Sequence, residues 1–309
     1  MKHAARNLMM ATAAMICLLL LLSAPQGAAA QNHDSIRLVH TDWSSSVATA
    51  NLVKAVLEHR LGIRCRLEET TADKMWSSVA EGKADAMVSA WLPDTHGHYH
   101  EKYKDRVVNI GPNFEGTKIG LVVPDVTAGR LTAGTGLRNR PYITADSIEE
   151  LKENAEKFNH RIIGIDPEAG IMRKTRRAME EYGLEEDFRL LEGSEVSMVA
   201  ELSHAVRHKE WIVVTGWLPH WMFARWELKF LEDPKGIFEE DEGHIATVVR
   251  QGLEEDMPEA FGFLDSFRWG PADIGQLMLW IQEDKGRHPY EKALRWLRYH
   301  PEKVDNWMD

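Results

Sequence analysis

Cysteine is nearly absent: the 309-residue chain has two, Cys17 and Cys65. Cys17 lies in an apolar N-terminal leader, so once that leader is removed Cys65 has no partner for an intrachain disulfide. Cys65 sits in Ile63-Arg64-Cys65-Arg66-Leu67, which reads as a short strand with a small buried side chain at its centre. After the leader, no apolar run is long enough to span a bilayer. Positive charge is also scarce, with 37 Lys and Arg against 48 Asp and Glu, a formal charge of −11. Such a chain lacks the basic face that nucleic-acid phosphates require, which excludes that partner. The usual enzyme signatures are missing too: no GxSxG elbow, P-loop, GxGxxG or HExxH occurs. No catalytic residue and no cofactor is expected.

Residues 1–30 have the grammar of a cleavable signal peptide. Lys2 and Arg6 give a positive start, Met9 to Leu22 an apolar stretch, and Ala28-Ala29-Ala30 a small-residue cleavage site. Met15 and Ile16 stand where a lipoprotein signal would have small residues. A periplasmic product beginning near Gln31 is expected. Without Lys2 and Arg6, its formal charge falls from −11 to −13.

The remaining sequence alternates short apolar runs with longer helical patterns, which predicts an α/β fold with mostly parallel sheets. Strands are predicted at Ile36 to His40, Cys65 to Glu69, Ala86 to Ser89, Ile119 to Pro124, Arg161 to Asp166, Phe188 to Leu191 and Trp211 to Thr215. From Asp125 to about Ala145 the chain is loop-like and reads as a crossing between lobes or a surface insertion. Leu228 to Leu231 reads as the return crossing. The predicted division is residues 35–123 with 225–309 as one lobe and 124–224 as the other, with a ligand cleft between them.

Three tryptophans share one local design. Leu38-Val39-His40-Thr41-Asp42 leads into Trp43, Met87-Val88-Ser89-Ala90 into Trp91, and Ile212-Val213-Val214-Thr215-Gly216 into Trp217. In open α/β sheets ligands bind beyond the carboxyl ends of strands, so these rings aim at the cleft from both lobes. Indole is the best aromatic partner for a cation, each ring contributing roughly 0.5–2 kcal/mol once water is excluded. A trimethylammonium group has no N–H to donate, so aromatic faces suit it better than carboxylates. The other eight tryptophans include six, Trp221, Trp226, Trp269, Trp280, Trp296 and Trp307, whose helical or loop contexts assign them to packing.

Ile162 to Ile171, with Asp166-Pro167-Glu168-Ala169-Gly170 at its turn, reads as a strand running into a helix start. Free N–H groups there make an anion site, and Gly170 would let a ligand approach the backbone. His96 is a second donor for a carboxylate, and protonation would strengthen it. A cation cage beside an anion site describes a receptor for a zwitterion. The alternative is a metal site at His96, His98 and His100, although their alternate spacing does not put all three on one helix face. Asp42 and Asp94, each close to a tryptophan of the proposed cage, could pass for an acid/base pair but read better as solvated loop residues.

The segments WLPDTHGHYHEKYKD, IIGIDPEAGIM, VVTGWLPHWMF and LKFLEDP resemble the substrate-binding proteins of glycine betaine/proline betaine ABC transporters, over about Ile36 to Trp269. The resemblance implies a type II periplasmic-binding-protein fold, two α/β lobes closing on the ligand, and a membrane-embedded ABC permease as partner. A monomer is expected. It also implies a cage of Trp43, Trp91 and Trp217, and a carboxylate held by the N–H groups of Gly170 and Ile171 with His96. Choline or carnitine is the alternative ligand. Asp94 stands where a neutral residue is expected, adding negative charge near the cage.

Overall fold

The computed structural model describes residues 35–125, 141–239 and 242–308. The proposed signal peptide and most of the 125–145 segment lie outside them. From Asp34 onward the chain forms one compact unit built on two five-stranded sheets.

The first sheet begins with β1 (Ser35–His40), α1 (Ser44–His59), β2 (Arg64–Glu69), α2 (Ala72–Ala80), β3 (Ala86–Leu92), α3 (Gly97–Tyr103) and β4 (Val107–Glu115). Its order is β2-β1-β3-β10-β4, where β10 is His244–Arg250. The second contains β5 (Lys118–Pro124), β6 (Arg161–Ile163), α4 (Gly170–Glu181), β7 (Arg189–Leu191), α5 (Glu195–His208), β8 (Val213–Leu218), α6 (Met222–Arg225) and β9 (Leu228–Phe230). Its order is β7-β6-β8-β5-β9. Each sheet thus has three parallel strands followed by an antiparallel one supplied by a distant part of the chain. The sheets are mixed, where the sequence pattern predicts mostly parallel ones.

Sheet membership also moves the lobe boundary. β5 pairs with β8, placing Ile119 opposite Trp217, and with β9 on its other edge. Both β5 and β9 therefore belong to the second lobe, not to the 35–123 plus 225–309 lobe. The outward crossing is only Gly116-Thr117, between β4 and β5. Both N–H groups donate to the Gly243 carbonyl, just before the returning strand β10, at 3.1 Å each, and Gly116 has φ +78°. Positive φ is the conformation glycine supplies at little cost, and it turns the chain sharply between sheets. On either side of the 125–145 segment the described chain joins the second lobe, where Asp125 N–H bonds Glu227 O and Ile148 N–H bonds Glu232 O.

The sequence pattern hides β4 because VVNIGPNFE carries Gly111 and Pro112. The structure tolerates them because β4 is an edge strand with register shifts around its Ala246–Pro112 pair. β3 is buried along its whole length, and α1 is buried over most of its surface beneath the C-terminal helices α9 (Pro271–Glu283) and α10 (Pro289–Tyr299). Three further helices complete that region: α7 (Leu253–Asp256), α8 (Pro258–Ser266) and α11 (Pro301–Asp305). Among the described residues no helix is long and apolar enough to cross a membrane. Cys65 is a free, buried thiol, pushed up to about 12 by burial first and neighbouring carboxylates second, with Lys54 opposing.

Candidate functional site

β3 and β8 are the equivalent third strands of the two sheets, and both end in Trp-Leu followed by a cis proline. Trp91 and Trp217 are the penultimate residues of their strands, two positions earlier than a ring placed just after the strand. Trp43 sits three residues past β1, where it opens α1. The three rings line one cavity, whose wall also contains Thr95, His96, Ile119, Ile165, Ala169, Gly170 and Ile171. All six residues singled out from sequence line it. Among the described residues the wall contains no Asp or Glu.

The wall combines these aromatic rings with hydrogen-bond donors. Gly170 and Ile171 are the first residues of α4, where N–H groups have no intrahelical acceptor and the helix dipole is positive. His96 is fully buried. Its Nδ1 accepts from the Trp91 N–H at 3.1 Å and from the Trp76 Nε1–H at 3.3 Å. Two donors on Nδ1 leave the proton on Nε2, which is buried without a protein partner at the cavity wall. Burial, then the positive charge of His98 and Arg173, lowers the His96 pKa to about 3. The imidazole is thus a neutral donor, and the expectation that protonation would aid it is corrected. Trp76, fully buried in α2, carries no local signal of this role.

Gly170 has a different use from the one its position in the sequence implies. A Cβ built on it would lie 2.3 Å from the Thr95 carbonyl oxygen and 2.4 Å from Thr95 Cγ2, across the cleft. The close approach it permits is that of the opposite lobe.

Two groups of polar contacts, or clasps, join the lobes next to cavity-lining residues. In the first clasp, Arg173 donates to the carbonyls of Asp94 (3.1 Å) and Thr95 (3.3 Å) and contacts His98 Nδ1, while Tyr99 O–H donates to Glu168 O at 3.2 Å. Asp94 is exposed and outside the cavity wall, with its carboxylate 3.8 Å from Lys174 Nζ of the other lobe. Its charge is therefore directed at an interlobe contact. Asp42 is likewise outside the wall; partial burial and then Glu195, Glu69 and Asp166 raise its pKa.

In the second clasp, Glu195 Oε2 accepts the Ser44 N–H at 2.8 Å, at the start of α1 and next to Trp43. Its Oε1 lies 3.1 Å from His220 Nε2, at an angle too poor for a well-formed hydrogen bond. Burial pushes the Glu195 carboxyl up, but His220 and the Ser44 N–H outweigh it, so the net direction is down. A depressed folded-state pKa means the contribution is complete above the ordinary carboxylate range and is lost as pH falls through the folded value. Glu195→Gln, which keeps the shape and removes the charge, is expected to weaken ligand binding roughly tenfold, on the scale of a hydrogen bond to a charged group. Calorimetry would check this; unchanged affinity would remove the clasp from the account.

The histidine-loop metal alternative fails on geometry. His96 is enclosed by Trp76, Trp43 and Tyr99, and His98 packs on Tyr99 and Arg173. Among the described residues His96, His98 and His100 do not gather as a metal-ligand group.

Residues 34–299 match the family described as the substrate binding domain of ABC-type glycine betaine transport systems. The chain belongs to this family. It is 43% identical over 159 residues to the glycine betaine/carnitine transport binding protein GbuC of Listeria monocytogenes. That match covers 51% of this chain and 52% of GbuC, so it spans about half the length of the curated relative. Lactococcal OpuAC, solved in a closed form with glycine betaine, is 37% identical with a TM-score of 0.78, covering 89% of this chain and 99% of OpuAC. The glycine/betaine/L-proline-binding protein ProX of Borrelia burgdorferi is 34% identical with a TM-score of 0.80, covering 89% of this chain and 97% of its own. These similarities bear out the type II periplasmic-binding-protein fold.

Proposed function

We propose that the protein is an extracytoplasmic receptor that captures glycine betaine, or a close relative such as proline betaine, and delivers it to a membrane permease. It binds its ligand without chemistry, as a monomer in the periplasm. The observation that carries this reading is that one cavity wall brings three indole rings together with hydrogen-bond donors. Trp43, Trp91 and Trp217 suit a cationic group, and the α4 N-terminus with His96 Nε2–H suits an anionic one. A wall with anion-directed donors and no carboxylate favours a zwitterion over the plain cation choline. Lactococcal OpuAC, solved with glycine betaine, supports the assignment.

Calorimetric titration with glycine betaine, proline betaine and choline tests it. Tight one-to-one betaine binding with weak choline is expected. His96→Ala should weaken betaine about tenfold, the loss of one hydrogen bond to a charged group, and leave choline nearly unchanged. Equal losses for both ligands would take the carboxylate away from His96. With the imidazole neutral, betaine affinity is expected to show no step from His96 between pH 5 and 8.

A further inference from the structure

We propose that His204, His208 and Glu210 form a second binding site, for a divalent transition-metal ion of the zinc class, on the exposed C-terminal end of α5. His204 and His208 are i and i+4 on that helix, so their side chains project from one face. Their ring centroids lie 4.1 Å apart. The helix stops at Lys209 in the left-handed region (φ 59°), and the next residue turns back so that Glu210 N–H bonds Ala205 O at 2.9 Å. This turn places Glu210 Oε2 3.7 Å from His204 Nε2. One ligand atom from each of the three residues lies within 4.8 Å of the others, a separation that a shared ion with bonds of about 2.0–2.2 Å can draw together.

A second observation concerns the tautomer. His208 Nδ1 lies 2.9 Å from the His204 carbonyl oxygen. A carbonyl only accepts, so Nδ1 carries the proton and the Nε2 lone pair is left for a ligand. Metal-binding imidazoles are commonly oriented in this way, with the other nitrogen donating to a backbone carbonyl. Two imidazole nitrogens and one carboxylate oxygen suit Zn²⁺, Ni²⁺ or Cu²⁺, whereas Ca²⁺ takes six to eight oxygens. Exposure leaves the remaining coordination positions to water. Glu195 is at the opposite end of the same 14-residue helix, about 20 Å away along its axis. The metal site is therefore separate from the betaine cavity.

The test is calorimetric titration of tag-free protein with ZnCl₂, with CaCl₂ alongside. One Zn²⁺ per chain is expected, with no heat from Ca²⁺. His204→Ala and His208→Ala should each weaken Zn²⁺ at least about tenfold. Both side chains are exposed, so unchanged melting curves without metal will show that the variants fold. Betaine titrations of the same variants should match wild type. The doubly substituted His98→Ala, His100→Ala protein should bind Zn²⁺ as wild type does. Absence of Zn²⁺ binding, or binding that survives both α5 substitutions, would overturn the proposal.

Discussion

Replacing Trp217 by alanine is expected to weaken glycine betaine binding at least tenfold, and replacing Trp91 and Trp217 together to bring it near the limit of detection. Each ring is almost fully buried at the cavity wall, and each comes from a different sheet. A quaternary ammonium held between them has lost its water, the condition in which an indole face contributes towards 2 kcal/mol, and tenfold in affinity is 1.4 kcal/mol. Truncating a buried tryptophan also leaves a void, which costs about 3–5 kcal/mol of stability. Phenylalanine separates the two effects. Trp217→Phe keeps an aromatic face and most of the volume, so it should retain part of the affinity. Trp217→Ala should lose affinity even at temperatures where its melting curve shows a folded protein. An alanine variant that is folded and binds betaine like wild type would end the cage assignment for that ring. A phenylalanine variant as weak as alanine would instead assign the loss to indole itself, for example to its unpartnered Nε1–H.

The residues that can be read from sequence are those whose role is written within a few positions of the chain. Trp43, Trp91 and Trp217 announce themselves by following apolar runs, and Gly170 and Ile171 by opening a helix after a strand. His96 is reached through its neighbours in WLPDTH. What the sequence does not display are roles made by two distant segments. Glu195 looks like an ordinary first-turn acid of an amphipathic helix until Ser44, 151 positions away, is placed against it. Trp76 looks like core until its N–H is found on His96. The same limit applies to the fold. KIGLVVP is visibly a strand, but only its pairing with β8 and β9 assigns it to the second lobe. A mixed sheet cannot be told from a parallel one when the antiparallel strand arrives from elsewhere in the chain. Even Gly170 acquires a reason only from the residue that faces it.

That reason leads to the most discriminating expectation: Gly170→Ala should lose betaine binding by about a hundredfold or more while folding as well as wild type. No positive φ is required at Gly170, so alanine fits the backbone, and alanine favours a helix over glycine by up to about 1 kcal/mol. The second lobe alone should be unharmed. The conflict arises across the cleft, where the new Cβ would stand 2.3 Å from Thr95 O, whereas ordinary contact begins at 3.4 Å. The lobes must then stay apart by about 1 Å, and the clasps at Arg173 and Glu195 are stretched with them. A cage assembled from both lobes binds in proportion to the population of the closed form, so apparent affinity falls by the same factor as that population. Small-angle scattering should show wild type contracting on addition of betaine and the variant not contracting. Its melting point without ligand should equal or exceed that of wild type. If the variant binds within threefold of wild type and contracts normally, Thr95 yields at little cost, and closure to the contact seen here is not what binding requires.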